Sequence, residues 1–162
     1  MATSSFYKFN QFVEDLGHSL HVLDTNEVKI LLTNTVPNAA DNVIDTVSTP
    51  CIVKATSNAV EVAAAAGYVK GGEIITVPVF AQIGGVAKFY GVKVTWTAGA
   101  AIGPFQYAVI YNNSTGAAAT RPVIGWYNYG APVTLGIGET FTIGNSNDGT
   151  NWVVGFPILS VT

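Results

Sequence analysis

The sequence predicts a mainly β protein: an antiparallel, jelly-roll-like β-sandwich with a short N-terminal amphipathic helix and a long loop or arm. Three observations predict it. From Glu73 onward, EIITVPVFAQI, KFYGVKVTW, GPFQYAVIYN, RPVIGWYNYG, VTLGIGETFTI and NWVVGFPILSV follow one another, separated by Gly, Pro, Asn or Ser at the spacing of a sandwich or barrel. Val92, Val94 and Trp96 alternate with Lys93, Thr95 and Thr97, giving one apolar and one polar face. Clear helical spacing is confined to the stretch before His21. At 162 residues the chain is long enough to bury a core as one domain, 1–162.

The elements follow in order. From Phe6 to His21, the apolar residues Phe9, Val13, Leu16 and Leu20 recur at helical spacing, with Glu14 and Asp15 opposite, so 1–21 is assigned to the helix. Ser4 or Ser5 is the candidate cap, and Gly17 weakens the last turn. DTNE at Asp24 to Glu27 is turn chemistry, and VKILLTN from Val28 to Asn34 is a strand. Thr35 to Pro50 has no clean period and carries prolines, asparagines and aspartates. With the preceding strand it makes up a unit at 28–59, either a contact arm or an ordered loop packed on its own domain.

The β body is assigned to 60–162. Val60 to Ala66 is ambiguous, because its alanines favour helix while the glycines after them demand loop geometry. In GPFQYAVIYNNSTG, alternation places Phe105, Tyr107, Val109 and Tyr111 on one face, and Asn-Asn-Ser-Thr-Gly forms an exposed loop. The Asp148-Gly149 turn signal predicts a terminal hairpin of Thr140 to Ile143 with Trp152 to Val154.

Charged residues are 10% of the chain, well below the usual quarter, so much of the surface is neutral and suited to cover by partners. The 7 Lys and Arg are scattered, which argues against nucleic-acid binding. No apolar run approaches the roughly 20 residues of a membrane helix, so no membrane is expected as a partner. The start lacks the basic and apolar regions of a secretory signal, and the single Cys51 allows no intrachain disulfide. Synthesis and use in a cytosol is the expectation.

Candidates for chemistry each have a plainer structural reading. His18 and His21 lie a turn apart on the helix, but the His-Glu-x-x-His pattern is absent, and two histidines suit a helix end. Cys51 has only Lys54 nearby in sequence to activate it, which favours a buried thiol. No serine stands in a Gly-x-Ser-x-Gly elbow, and Gly136-Ile137-Gly138 lacks the rest of a dinucleotide loop. Glu61, Glu73, Glu139 and Asp148 are the carboxylates from which a sugar-cleaving pair would come, although Glu139 in IGETF reads as a turn residue. No catalytic residue, metal ligand or cofactor is assigned.

Trp126, Tyr127 and Tyr129 in GWYNYG are side chains that cores, subunit interfaces and sugar platforms all use. Alternation places Trp126 opposite Tyr127 and Tyr129, so part of the set is core. The interface candidates are Phe9, Val13, Leu16 and Leu20 on the helix, Val36, Pro37, Val43 and Ile44 in the arm, and Trp126, Tyr127 and Tyr129.

FNQFVEDLGHSLHVLDTNEVKILLTNTVPNAADNV, AAAAGYVKGG, IGPFQYAVIYNNST, PVIGWYNYG and GETFTI, in that order and spacing, resemble a family of small structural proteins of tailed bacteriophages. The likeness covers most of the chain, less so Thr49 to Asn58 and the part after Ile143. It implies a non-enzymatic, β-rich capsid cement or decoration protein. Such a protein is made in the host cytoplasm and placed on the capsid exterior, often as a homotrimer bracing the major capsid protein. A tail, baseplate or fibre component and a glycan-binding module for host surfaces are the alternatives.

Overall fold

The computed structural model describes residues 5–83 and 85–144. They form a mainly β, antiparallel, sandwich-like fold with one short helix. Three long strands make its centre: β2 (Val28–Thr33), β10 (Ile102–Asn112) and β11 (Arg121–Leu135), with β10 in the middle. Their residues are rich in Val, Ile, Leu and aromatics on both faces, as strands covered on both sides require.

On one edge of the trio, β11 pairs through Arg121 and Pro122 with β3 (Val43–Asp45), which pairs with β4 (Ile52–Lys54), which pairs with β5 (Ala59–Val60). The chain then reaches the far edge: Glu61 bridges to Thr33, and Val62 N donates to Leu32 O at 2.9 Å. Hydrogen bonding therefore closes β11, β10, β2, β5, β4 and β3 into a ring. Inside it lie Leu31, Ile44, Cys51, Val53, Ala59, Val109, Tyr111 and Val123, with Phe9 and Trp126 in the same cluster. A closed ring satisfies backbone groups that an open edge would leave unpaired.

The other face of the trio carries the larger core. Val28, Ile30, Leu32, Ile110, Ile124 and Tyr127 pack under Trp96, Val94 and Phe105, with Phe141 and Ile143 at the margin. The cover is a ribbon of β9 (Val94–Thr97) and β12 (Thr140–Ile143), joined by Phe89 from a second ribbon, β7 (Val79–Ile83) with β8 (Val86–Tyr90). β6 (Glu73–Ile74) pairs with β2 beside the point where Glu61 closes the ring.

Several expectations are corrected. The stretch expected as a helix over 6–21 begins as a strand: β1 (Ser5–Lys8) pairs with Gly125 to Asn128 of β11, and α1 spans only Gln11–Gly17. A Cβ on Gly125 would lie 2.3 Å from Phe6 Cζ and 2.6 Å from the Tyr7 carbonyl oxygen, so the bare glycine is what admits β1. Long-range pairing thus overrides helical spacing. The buried face of α1 is Phe12 and Asp15 with half-buried Leu16, while Val13 and Leu20 are exposed.

Of the two readings of Thr35 to Pro50, the segment packed on its own domain is the one found, as part of the ring. β3 lies within that segment, and Asp41 and Asp45 organise its turns. Asp41 accepts from Asn38 N, Thr56 N, Ser57 N and the Ser57 hydroxyl. Asp45 accepts from Val47 N, Ser48 N, the Ser48 hydroxyl and Lys54 Nζ.

Phe105, Tyr107, Val109 and Tyr111 do not share a face. Phe105 lies in the larger core while Val109 and Tyr111 enter the ring, and the register with β11 is irregular between Phe105 and Tyr107. Thr140 to Ile143 pairs with Val94 to Thr97. The other half of the expected terminal hairpin, Trp152 to Val154, lies outside the described residues.

Candidate functional site

The interface candidates separate by burial. Phe9, Pro37, Ile44, Trp126 and Tyr127 are buried, and Leu16 and Val43 are half-buried. Val13, Leu20, Val36 and Tyr129 remain exposed. Trp126 is only 6% exposed, with the Tyr7 ring stacked at 5.4 Å and Phe9 tilted against it at 4.6 Å. Tyr127 packs on Phe6 at 5.1 Å, and Tyr129 sets its edge against Phe141 at 5.6 Å. The aromatic set is therefore core apart from Tyr129, with Tyr7 as its outer layer.

Exposed large apolar side chains occur along the chain, among them Val47, Val69, Val77 and Ile137, and several belong to the N-terminal elements. Tyr7 of β1, Val13 of α1, and Leu20 and Val22 of the following connection are exposed. Asn10 N donates to Ala39 O at 2.9 Å, which sets the helix start against the turn that carries exposed Val36. Tyr7 and Val22 were missed in the sequence. Helical spacing from Phe6 hides Tyr7, which lies four residues ahead of α1, and Val22 falls between the helical period and the β2 alternation.

Ionisable groups inside the fold are held by structural partners. Glu61 accepts from Cys51 N at 3.1 Å, the Tyr68 hydroxyl at 2.8 Å and Gly71 N at 2.7 Å. Tyr111, inside the ring, donates its hydroxyl to Gly71 O at 2.8 Å. Burial, with Glu61 adding to it, pushes the Tyr68 hydroxyl up, and burial first pushes Tyr111 up as well. Lys54 Nζ, 2.7 Å from Asp45, together with the Ser48 donors, holds that carboxyl below the usual carboxylate range. Burial first, and then Glu61, pushes the Cys51 thiol up to about 12, so it stays protonated at neutral pH.

The candidates for chemistry do not converge. His21 is buried against Phe12, whereas His18 is exposed. Glu61 lies in its three-donor pocket, Glu73 is half-buried on β6, and Glu139 accepts from Gly136 N in an exposed turn. Asp148 lies outside the described residues. Among the described residues no group of three or more His, Cys, Asp or Glu side chains is placed to hold a metal ion. No helix among them is long and apolar enough to cross a membrane.

Comparison with known proteins yields no match to this chain: no family model, no curated protein and no solved structure resembles it significantly.

Proposed function

We propose that the protein is a non-enzymatic structural protein of a tailed-bacteriophage virion. In this reading it is a capsid cement or decoration protein that binds the outer surface of the major capsid shell as a homotrimer and stabilises it. The observation that carries the reading is the exposed apolar set Tyr7, Val13, Leu20, Val22 and Val36 on a chain with 10% charged residues, beside an interior whose acidic groups serve the fold. Neutral, apolar surface of this kind suits subunit contacts. The sequence resemblance supplies the particle. A trimer multiplies weak contacts with the shell into avidity.

The test is cosedimentation of the purified protein with heads of its virus, comparing immature and expanded shells that lack it, alongside its solution mass. Saturable binding to expanded heads by a species of three subunits is expected. Absence of binding to both shells would overturn the reading.

The tail or baseplate reading has one observation in its favour. Both the β7–β8 and β9–β12 ribbons pair with no third strand among the described residues, and such edges suit strand-by-strand addition of neighbours. It predicts rings or fibres in place of isolated trimers. A glycan platform at Trp126 has less support, because the ring is buried with Tyr7 and Phe9 packed on it.

A further inference from the structure

His21 ties the N-terminal helix to the central strands through a contact that only a neutral ring can make. Its side chain is buried, and its Nδ1 lies 3.3 Å from Asn112 Nδ2 at the end of β10. The direction of the Asn112 amide is fixed on both sides. Its Oδ1 accepts from Ser114 N at 2.9 Å, and its Nδ2 donates to Asn26 Oδ1 at 2.7 Å and Leu20 O at 3.0 Å. The two amide hydrogens are shared among Asn26 Oδ1, Leu20 O and the more distant His21 Nδ1, and the amide nitrogen has no lone pair to accept a ring proton, so Nδ1 faces it unprotonated. The ring proton then sits on Nε2, which has no hydrogen-bond partner and lies 3.8 Å from Asp15 Oδ2.

We propose that the contact between His21 and Asn112 is an acid-sensitive latch: protonation of the ring releases α1 and the connection to β2 from the end of β10, leaving the strand ring folded. A second proton has to go on Nδ1, where it faces the Asn112 amide nitrogen, which cannot accept it. Burial acts in the same direction and lowers the ring from the ordinary 6.5 to about 4. Asp15 on α1 attracts a ring cation from 3.8 Å and opposes this, but its own carboxyl is raised, by desolvation first.

Other charged groups nearby are engaged or turned away. Glu14 and His18 are exposed on the helix, Glu27 accepts from Asn113 Nδ2, and Arg121 donates to the carbonyls of Thr115 and Gly116. From β10 and the turn after it, the ring meets only the neutral Asn112 amide among the contacts described.

The sign follows from linkage. Between 6.5 and about 4 a released ring takes up a proton that the buried ring refuses, so acid favours release. Opening becomes roughly tenfold easier per pH unit in that window, or on the order of a hundredfold by about pH 4.5. The raised Asp15 opposes this near the bottom of the window, because the folded form takes up that proton first. Release does not threaten the ring, since β10 pairs with β2 without a break from Tyr107 to Asn112 and with β11 along most of its length.

The test is hydrogen exchange of residues 12–22 against β2 and β10, corrected for intrinsic rates, at about pH 7 and about pH 4.5, in the wild type and in His21→Asn. Asparagine keeps an acceptor near the position of Nδ1 and does not titrate. The wild-type segment is expected to open on the order of a hundredfold more at the lower pH, with β2 and β10 unchanged, and the variant less than about threefold. An equal rise in both proteins, or opening of β2 and β10 in step with the segment, would overturn the latch. If the variant does not fold, the wild-type His21 ring is titrated by NMR. A midpoint below about 5 with simultaneous loss of α1 signals is expected, and a midpoint at the ordinary histidine value would refute the proposal.

Discussion

The Tyr68 hydroxyl donates to Glu61 Oε1 at 2.8 Å and accepts from Leu32 N at 3.0 Å, so one phenol joins a buried carboxylate to the central strand where the ring closes. Glu61 is also the residue whose backbone bridges to Thr33. Closure of the ring and satisfaction of its buried polar groups therefore depend on the same few atoms.

Removing that carboxylate is expected to be severe. Glu61→Ala leaves Cys51 N, Gly71 N and the Tyr68 hydroxyl without their acceptor, at a cost of about 3 kcal/mol or more. Tyr68→Phe loses both hydroxyl bonds, to Glu61 and from Leu32 N, and orphans the latter, costing roughly 1–3 kcal/mol. The two changes share partners, so a double-mutant cycle by urea unfolding is expected to show coupling of about 1 kcal/mol. Additive effects would separate Tyr68 from Glu61.

Tyr111 extends this network into the ring. Tyr111→Phe keeps the ring packed and loses the bond to Gly71 O, costing about 1 kcal/mol. Tyr111→Ala leaves a cavity among Leu31, Val109 and Val123 and costs roughly 3–5 kcal/mol. Thermal or urea unfolding of the two variants checks the gap between them, and equal losses would contradict a packing role.

Cys51 reports on the same region. With its thiol buried and pushed up to about 12, reaction with a disulfide reagent at mildly alkaline pH is expected to follow ring opening. Slow labelling of the native protein, accelerating through the unfolding transition, is the expected result. Rapid labelling of the native state would mean that this part of the ring is open to solvent.

Much of the β body was legible because its signals are local. Val94 and Trp96 alternate against Thr95 and Thr97 as the pattern requires, and Val28 to Thr33 forms the expected strand. The failures are long-range. Phe6 to Lys8 is extended because Gly125, far along the chain, leaves room for it, and no window around Phe6 contains that fact. The alternation of Phe105, Tyr107, Val109 and Tyr111 fails where the register with β11 is irregular. The fold has its polar nodes at Glu61, Asp41 and Asn112, whose partners lie up to 92 residues away, so composition and period pass over them.

Gly125 allows this long-range effect to be tested directly. Gly125→Ala places a Cβ against Phe6 and the Tyr7 carbonyl, and β1 is expected to detach while the ring persists. The change exposes Trp126, which Tyr7 covers, so its fluorescence is expected to shift to the red and become quenchable. Hydrogen exchange at residues 5–8 gives a second reading. Unchanged protection there would show that the backbone shifts to accommodate the methyl group.

The exposed apolar side chains test the assembly role without disturbing the fold. Leu20 and Val36 are 39% and 59% exposed, so Leu20→Asp and Val36→Asp place a charge on the surface, where the cost to folding is expected to stay within about 0.5 kcal/mol. If this surface meets the capsid or a second subunit, the same charge must be desolvated on binding, which weakens association by 2 kcal/mol or more, about thirtyfold. Ile137, 79% exposed at the turn between β11 and β12, supplies the control, and Ile137→Asp is expected to bind heads as the wild type does. Retained melting temperature with lost cosedimentation in the first two variants alone would locate the contact on the N-terminal elements. Equal binding by all three would remove that surface from the assembly.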